Sequence, residues 1–160
     1  VLFGAKLVRG AYMEKERARA IEKKYPSPIQ DTKEDSDIDY NSALDECVKN
    51  IDMMGLCAGT HNEKSSLFLV ELMNKHAISN SDKRIYFSQL LGMSDHISYN
   101  LTLSNYNVAK YVPYGPVKEV LPYLMRRAQE NTSVKGQTGR EMSLINKEKE
   151  RRAKNKKLAF

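Results

Sequence analysis

The stretch Arg84-Ile-Tyr-Phe-Ser-Gln89 decides the fold, together with Leu90-Leu-Gly-Met93, the run Ser94–Leu103 and the segment Val108–Val112 that follow it. The first and last of these segments are short and apolar, which predicts two strands. Between them a turn leads into a helix, for which Ser94 is a plausible N-cap. A strand, a helix and another strand in this order predict two parallel strands joined by a crossover helix.

The same alternation runs through the rest of the chain. Leu44, Val48 and Ile51 lie at helical spacing in the second helix, which Gly55 is predicted to end as a C-cap, while Asp31–Asp39 is predicted to be a loop. The remaining strands are predicted at residues 3–9 and Leu56–Thr60, and the helices at Met13–Glu22, Tyr40–Met54, Ser65–His76 and Val117–Glu130. In the third of these helices, Leu67, Val70 and Leu72 are expected to face a core.

Four strands, each followed by a helix, predict an α/β fold with parallel pairing. Four βα units are half of a (βα)8 barrel, and the polar, glycine-containing stretches fall at the carboxyl ends of the strands, where barrel sites are built. The alternative is a small flavodoxin-like sheet, which would need a phosphate loop after its first strand. Val1–Val8 is a strand that begins at once, without an initiator Met, so the chain is predicted to be a fragment.

Charge and composition exclude several classes of protein. Of the net charge of +6 over 160 residues, +5 lies between Lys147 and Lys157, so the rest of the chain is nearly neutral and a nucleic-acid partner is not expected. The basic tail is either a solvated, partly helical segment or a contact with an anionic membrane surface. Two cysteines, Cys47 and Cys57, fit a reducing compartment. No secretory signal or membrane-spanning run is visible in the sequence.

Candidate site residues follow the predicted strands. Gly10 and Ala11 expose backbone amides to which a phosphate or flavin could come close, although a plain tight connection is the simpler interpretation. Thr60, His61 and Asn62 offer donors in succession, but helix capping explains Thr60 and Asn62 equally well, and a lone histidine such as His61 is usually structural. Leu90 is either a core residue or an apolar surface for a flat ligand. His76 and His96 have no metal-ligand residues nearby in sequence, so no metal site is predicted.

The last strand and helix suggest a small acidic ligand. Tyr111 places an aromatic ring at a strand end, and Arg126 and Arg127 are adjacent guanidinium groups that could grip a carboxylate, with Glu130 one turn further on. The competing interpretation is a surface helix in which these arginines pair with Glu130 at helical spacing.

Five motifs, taken in order, resemble the proline dehydrogenase family of the eukaryotic, mitochondrial type, from about Phe3 to Asn131. The resemblance implies that the chain is the C-terminal half of a distorted barrel, with a catalytic part at residues 1–131 and a basic tail at 132–160. The motifs are Lys6-Leu-Val-Arg-Gly-Ala-Tyr12, Thr60-His-Asn62, Gln89-Leu-Leu-Gly-Met93, Tyr111-Val-Pro-Tyr-Gly115 and Tyr123-Leu-Met-Arg-Arg-Ala-Gln-Glu-Asn131.

The resemblance also implies an activity. The protein would oxidise L-proline to 1-pyrroline-5-carboxylate with noncovalent FAD and pass electrons to a membrane quinone, at the matrix side of the mitochondrial inner membrane. Matched residue by residue, the family's contacts with the proline carboxylate correspond to Arg126 and Arg127, with Glu130 beside them. Its contacts with the substrate ring correspond to Tyr111 and Leu90. Its contacts with FAD correspond to Arg9, Gly10, Ala11, Thr60 and His61.

Two positions depart from the family pattern. Lys6 stands near the flavin where many bacterial members carry Arg, so it would supply charge without the fork of donors. Met13 replaces an aromatic residue of some relatives. The family's other catalytic residues lie outside these 160 residues, so the fragment alone is expected to be inactive. The alternatives are a hydroxyproline dehydrogenase, an inactive fragment that acts only as a binding module, and a basic membrane-contacting or nucleic-acid-contacting protein.

Overall fold

A computed structural model describes residues 3–10 and 12–133 and, further on, residues 142–143, 146–147 and 149–152, without the side chains of residues 126–133. The chain divides into two compact units, residues 1–112 and 113–160. The second unit contains the helix α5 (Val117–Ser133), which includes Pro122.

The first unit is a parallel sheet with helices between its strands. Its strands are paired in the sequential order β1-β2-β3-β4. This order confirms the predicted parallel α/β fold, and it lacks the reversal of strand order found in flavodoxin-like sheets. The elements are β1 (Phe3–Val8), α1 (Met13–Lys23), α2 (Lys33–Lys49), β2 (Met54–Gly59), α3 (Glu63–Lys75), β3 (Ile85–Leu90), α4 (Asp95–Leu103) and β4 (Val108–Tyr111).

The hydrophobic core lies between one face of the sheet and three helices. Alternate residues of the central strands are buried on this face, and they meet side chains from α2, α3 and α4. Phe87 packs edge to face on Tyr106, with ring centroids 5.5 Å apart. Leu44, Val48 and Ile51, which the sequence analysis found at helical spacing, are all buried in this core. The largest fully buried side chains are Phe87, Leu44, Leu56, Leu69, Met73, Ile85 and Val48.

The second helix differs from its prediction at both ends. α2 begins at Lys33, so most of the predicted loop Asp31–Asp39 is helical. The helix begins there because Thr32 acts as N-cap, accepting a hydrogen bond from the backbone N–H of Asp35 at 3.1 Å. Its last residue is Lys49, and Gly55 lies inside β2 instead of ending the helix. Periodicity located the apolar stripe but not the polar first turn.

The third helix also begins before its predicted start. Asn62 caps α3, its side-chain oxygen accepting from the N–H groups of Lys64 and Ser65 at 2.9 and 3.3 Å. The expectation that Leu67 faces the core is wrong, because its side chain is 54% exposed. The buried stripe of α3 runs through Leu69, Leu72 and Met73, and Leu67 is about 200° around the helix from Leu69 at 100° per residue.

Candidate active site at the carboxyl edge of the sheet

Parallel pairing brings the carboxyl ends of all four strands to one edge of the sheet. The segments that leave this edge are Arg9-Gly10, Thr60-His61-Asn62 and Leu91–Ser94, and β4 ends there at Tyr111. The edge therefore collects side chains that the sequence analysis selected separately. Three contacts organise it: one around Arg9, one between His61 and Ser94, and one between Lys6 and Tyr111.

Arg9 is held by several groups just past the end of β1. Its guanidinium donates to the hydroxyl of Thr60 at 3.0 Å and to that of Ser65 at 3.4 Å. It forms an ion pair with Asp37 and lies over the ring of Tyr40, 5.0 Å from the centroid. Burial raises the pKa of the Tyr40 phenol, and the Arg9 cation acts in the opposite direction. These contacts join the ends of β1 and β2 to α2 and α3.

Asp37 is a residue of this edge that sequence reasoning missed. Its carboxylate pairs with Arg9 and accepts a hydrogen bond from the side-chain amide of Asn62 at 3.1 Å. It was overlooked because the segment around it was predicted to be a loop. A signal was present in the sequence, since Thr32 stands three residues before Asp35, a spacing typical of a capped helix start. A helix from that point places Asp37 beside the strand ends.

His61 is oriented by a residue from another strand–helix connection. Its Nδ1 lies 3.0 Å from the hydroxyl oxygen of Ser94. Ser94 is 1% exposed and occupies the N-cap position of α4, as predicted, but with φ of 52° its side chain makes no capping hydrogen bond. The imidazole thus gains an anchor that its sequence neighbours do not provide.

Lys6 and Tyr111 meet across the face of the sheet opposite the core. The Lys6 ammonium lies 5.7 Å from the centroid of the Tyr111 ring, a cation–π contact between the first and last strands. In a flat sheet three strand spacings would separate these strands by about 14 Å, and side chains stand roughly perpendicular to a sheet. The contact therefore requires this face to be concave. Leu90 is the register partner of Tyr111 and belongs to the same face.

The concave face is apolar, with a cation at one side. Val8, Tyr86 and Tyr111 are 51%, 40% and 48% exposed on it. Gly59 lies between them, where an added Cβ would be crowded at 3.0 Å from both the Leu7 carbonyl oxygen and Val8 Cγ1. At the edge, Gly10 has φ of +74°, a backbone conformation that favours glycine.

Four of the predicted site residues lie outside this description. Arg126, Arg127 and Glu130 are in the helix α5, but their side chains are not described, and Ala11 is not described at all. The carboxylate clamp therefore stays a prediction. In the described part of the chain, no group of three or more His, Cys, Asp or Glu side chains is arranged to hold a metal ion. No helix of the described residues is both long and apolar enough to cross a membrane.

Comparison with known proteins identifies the family. The sequence model of the proline dehydrogenase family matches residues 1–140, so the chain belongs to that family. It is 45% identical to proline dehydrogenase 1, mitochondrial, of Drosophila melanogaster over 94% of its length, and 48% identical to the human protein of the same name over 89%. It is also 43% identical to hydroxyproline dehydrogenase of Xenopus laevis over 97% of its length.

The solved structures and the lengths of these relatives add to the family match. The chain resembles proline utilization A (PutA) from Bdellovibrio bacteriovorus inactivated by N-propargylglycine, with a TM-score of 0.76 at 27% identity over 84% of this chain and 14% of that one. It spans 24% of the fruit-fly and human relatives and 34% of the Xenopus one. The family and the α/β fold with its parallel sheet are thus established.

Proposed function

We propose that this chain forms the C-terminal half of a distorted (βα)8 barrel. The sequential strand order and the concave face opposite the helices support the proposal, because a barrel is a sheet that curves until its outer strands pair. The coverage of the relatives, about a quarter of their length, agrees with a partial domain. In this arrangement residues 1–131 belong to the catalytic barrel and residues 132–160 are a basic tail.

The function that this site supports best is the oxidation of L-proline to 1-pyrroline-5-carboxylate, the first step of proline catabolism. The observation that carries it is the contact of Lys6 with Tyr111 on the concave face of a chain from the proline dehydrogenase family. This contact places a cation and an aromatic ring together at the end of the sheet where barrel enzymes hold their substrates. Electrons would pass through FAD to a membrane quinone.

The residues at the edge fit a flavin cofactor. The concave face offers exposed apolar and aromatic side chains beside the ammonium of Lys6, which suits a flat ring system on which negative charge develops. Arg9, Gly10, Thr60 and His61 place donors and an open backbone at the carboxyl edge, as an anionic cofactor requires. When bound, FAD would supply the acceptor for the hydride that leaves the proline ring.

The protein's own part is to position the substrate. Arg126 and Arg127 would hold the proline carboxylate, with Glu130 beside them, so that the ring is fixed relative to the face. Tyr111 and Leu90 would close the apolar side of the ring. The fruit-fly and human relatives are named as mitochondrial proteins, which supports a mitochondrial location, and the matrix side of the inner membrane is where the quinone would be met.

The test uses the full-length protein that contains this chain. Purified wild type should show flavin absorbance and reduce an artificial electron acceptor when L-proline is added. The variants Arg126→Met and Arg127→Met should weaken proline binding by roughly 2–5 kcal/mol, as expected for loss of a buried charge partner, while the FAD content stays unchanged.

The matched control is Arg19→Met, which removes an exposed arginine of α1 and should leave the KM for proline unchanged. A wild-type KM in both clamp variants would mean that Arg126 and Arg127 are surface charges. A full-length protein that stays colourless after reconstitution with FAD would refute the proposed activity itself.

Hydroxyproline oxidation is the second candidate, and the 43% identity to the Xenopus protein favours it. The two substrates differ by one ring hydroxyl, so the side chain that packs on the ring would decide between them. We assign that role to Tyr111.

A further inference from the structure

The hydroxyl of Ser94 does not make the contact that its place in the sequence would suggest. A serine at an N-cap usually accepts a hydrogen bond from a backbone N–H of the first turn, as Thr32 and Asn62 do for their helices. Ser94 makes no such bond, because its backbone is left-handed, with φ of 52°. Its side chain is instead within hydrogen-bond distance of His61 Nδ1, at 3.0 Å.

The donor in this hydrogen bond follows from the surroundings of Ser94. The residue is 1% exposed, and among the described residues His61 Nδ1 is the only group within hydrogen-bond distance of its hydroxyl oxygen. A buried hydroxyl that accepts from Nδ1–H would leave its own proton without an acceptor, which costs free energy. The proton of Ser94 is therefore satisfied only if it is donated to Nδ1.

A chain of buried side chains keeps Ser94 in place. The Gln89 side-chain amide donates to the carbonyl oxygen of Thr60 at 3.4 Å, so its oxygen faces Ser98, which donates to it at 2.9 Å. The backbone N–H of Ser98 donates in turn to the carbonyl oxygen of Ser94 at 3.2 Å. Gln89 and Ser98 are 2% and 4% exposed. The start of α4 is thereby tied to the residue that precedes His61.

We propose that Ser94 is a positioning residue that donates to His61 Nδ1 and so selects the neutral imidazole tautomer with its hydrogen on Nε2. Once Nδ1 accepts a hydrogen bond, a neutral ring carries its proton on the other nitrogen. His61 then presents a hydrogen-bond donor at the carboxyl edge of the sheet. That this donor serves FAD rests on the proposed function, whereas the choice of tautomer does not.

The decisive variant is Ser94→Gly. It removes the hydroxyl, and glycine adopts positive φ more readily than serine, so the turn is kept. The capping of α4 is not affected, since the hydroxyl makes no capping bond. The matched control is Ser66→Ala, which removes an equally buried hydroxyl that donates to the Asn62 carbonyl oxygen. That oxygen still receives the backbone N–H of Ser66 at 3.1 Å.

Two readouts are taken on the full-length protein. The first is the ¹⁵N–¹H correlation spectrum of histidine-labelled, FAD-free protein, with the His61 signals assigned from a His61→Gln variant. Wild type should show a protonated Nε2 and an unprotonated Nδ1, and Ser94→Gly should show both tautomers. The second is FAD affinity, which should fall about two- to tenfold in Ser94→Gly, the range expected from loss of one hydrogen bond. Ser66→Ala should change neither.

Two results would overturn the proposal: a wild-type His61 with its proton on Nδ1, or a spectrum that Ser94→Gly leaves unchanged. A changed tautomer with unaltered FAD affinity would confirm that Ser94 sets the tautomer and would refute only the role of this donor toward FAD. Failure of the proposed function gives a different result, since wild type would then bind no FAD. In that case the spectra of FAD-free protein would still decide whether Ser94 sets the tautomer.

Discussion

Single side chains at the carboxyl edge connect elements that are far apart in the chain. Arg9 contacts residues from α2, α3 and the end of β2, and Asp37 joins this arginine to the N-cap of α3. Both side chains are largely shielded from water, at 16% and 25% exposure, so the ion pair is screened less than a surface pair would be. The edge is therefore held by charged contacts as well as by the sheet.

Tyr111 should decide between proline and hydroxyproline. Its ring occupies the end of β4, and a ring hydroxyl on the substrate would need the space that the aromatic side chain takes. We expect wild type to prefer L-proline over trans-4-hydroxy-L-proline by about 30- to 150-fold, because a clash or a stranded hydroxyl costs about 2–3 kcal/mol. Tyr111→Ser should shift this ratio of kcat/KM values toward the hydroxylated substrate.

Tyr86→Ser is the control for this measurement. It removes another partly exposed ring of the concave face, but from a position near the amino end of β3. It should leave the ratio of the two kcat/KM values unchanged. Equal efficiencies of wild type on the two substrates, or a ratio that Tyr111→Ser does not alter, would show that another residue sets the selectivity.

Among the strands and helices, β3 is fixed at its amino end by charge. Arg84, just before this strand, donates to both carboxylate oxygens of Asp82 at 3.0 and 2.7 Å and to Asp52 at 2.9 Å. It also reaches the carbonyl oxygen of Ile51, so the strand start is linked to the turn after α2. This amino end of the sheet lies opposite the carboxyl edge. In barrels the amino ends of the strands contribute to stability, whereas the carboxyl ends carry the catalytic residues.

The contacts of Arg84 with Asp82 and Asp52 predict that the stability of the protein depends on pH in the acid range. The hydrogen bonds from Arg84 hold the pKa of the Asp82 carboxyl below its usual range. Because the folded pKa is the lower one, the contribution to stability is complete above the unfolded pKa, about 4, and is lost as the pH falls through the folded pKa. Wild type should therefore lose stability more steeply below about pH 4 than Asp82→Asn does, as measured by urea unfolding.

Asp52→Asn serves as the comparison, because Asp52 pairs with the same arginine but is 94% exposed. Its substitution should change the acid slope little, since exposed pairs contribute little to stability. Parallel stability curves for wild type and Asp82→Asn down to about pH 2 would contradict the role assigned to Asp82.

Taken as one body, residues 1–112 leave the outer edges of β1 and β4 without a paired strand among the described residues, and Val8, Tyr86 and Tyr111 on one sheet face are about half exposed. Fully parallel sheets are ordinarily covered on both faces, and unpaired strand edges favour association with other chains. If the remainder of a barrel supplies this cover, residues 1–160 produced alone should retain no FAD and should self-associate, whereas the full-length protein should be yellow. Flavin absorbance and light scattering test both statements.

The control for that experiment adds the other half of the proposed barrel. Co-expression of the two parts should restore a soluble, flavin-containing protein. A monomeric, yellow fragment of 160 residues would contradict the half-barrel proposal.

The strands were the most predictable part of the fold. Ile85–Leu90 and Val108–Tyr111 largely coincide with the two short apolar segments that predicted strands, and Leu44 and Val48 are buried in α2 at the predicted helical spacing. The start of α2 was missed because its first turn is polar and is stabilised by a cap rather than by burial. Of the site, the sequence identified His61 and Arg9 but not Ser94 or Asp37 as their partners, since those contacts join residues 33 and 28 positions apart.

Local pattern in the sequence was enough to determine the βα alternation, the parallel pairing that it requires and, through five short motifs, the proline dehydrogenase family. Tertiary structure alone decided that the face bearing Lys6 and Tyr111 is concave, that Arg9 is engaged by Asp37, and that the hydroxyl of Ser94 turns from its own helix to His61. The physical reason is the distance along the chain over which each effect acts. Periodicity and capping act within one or two turns of chain, whereas sheet curvature and side-chain pairing depend on how separate strands and helices pack.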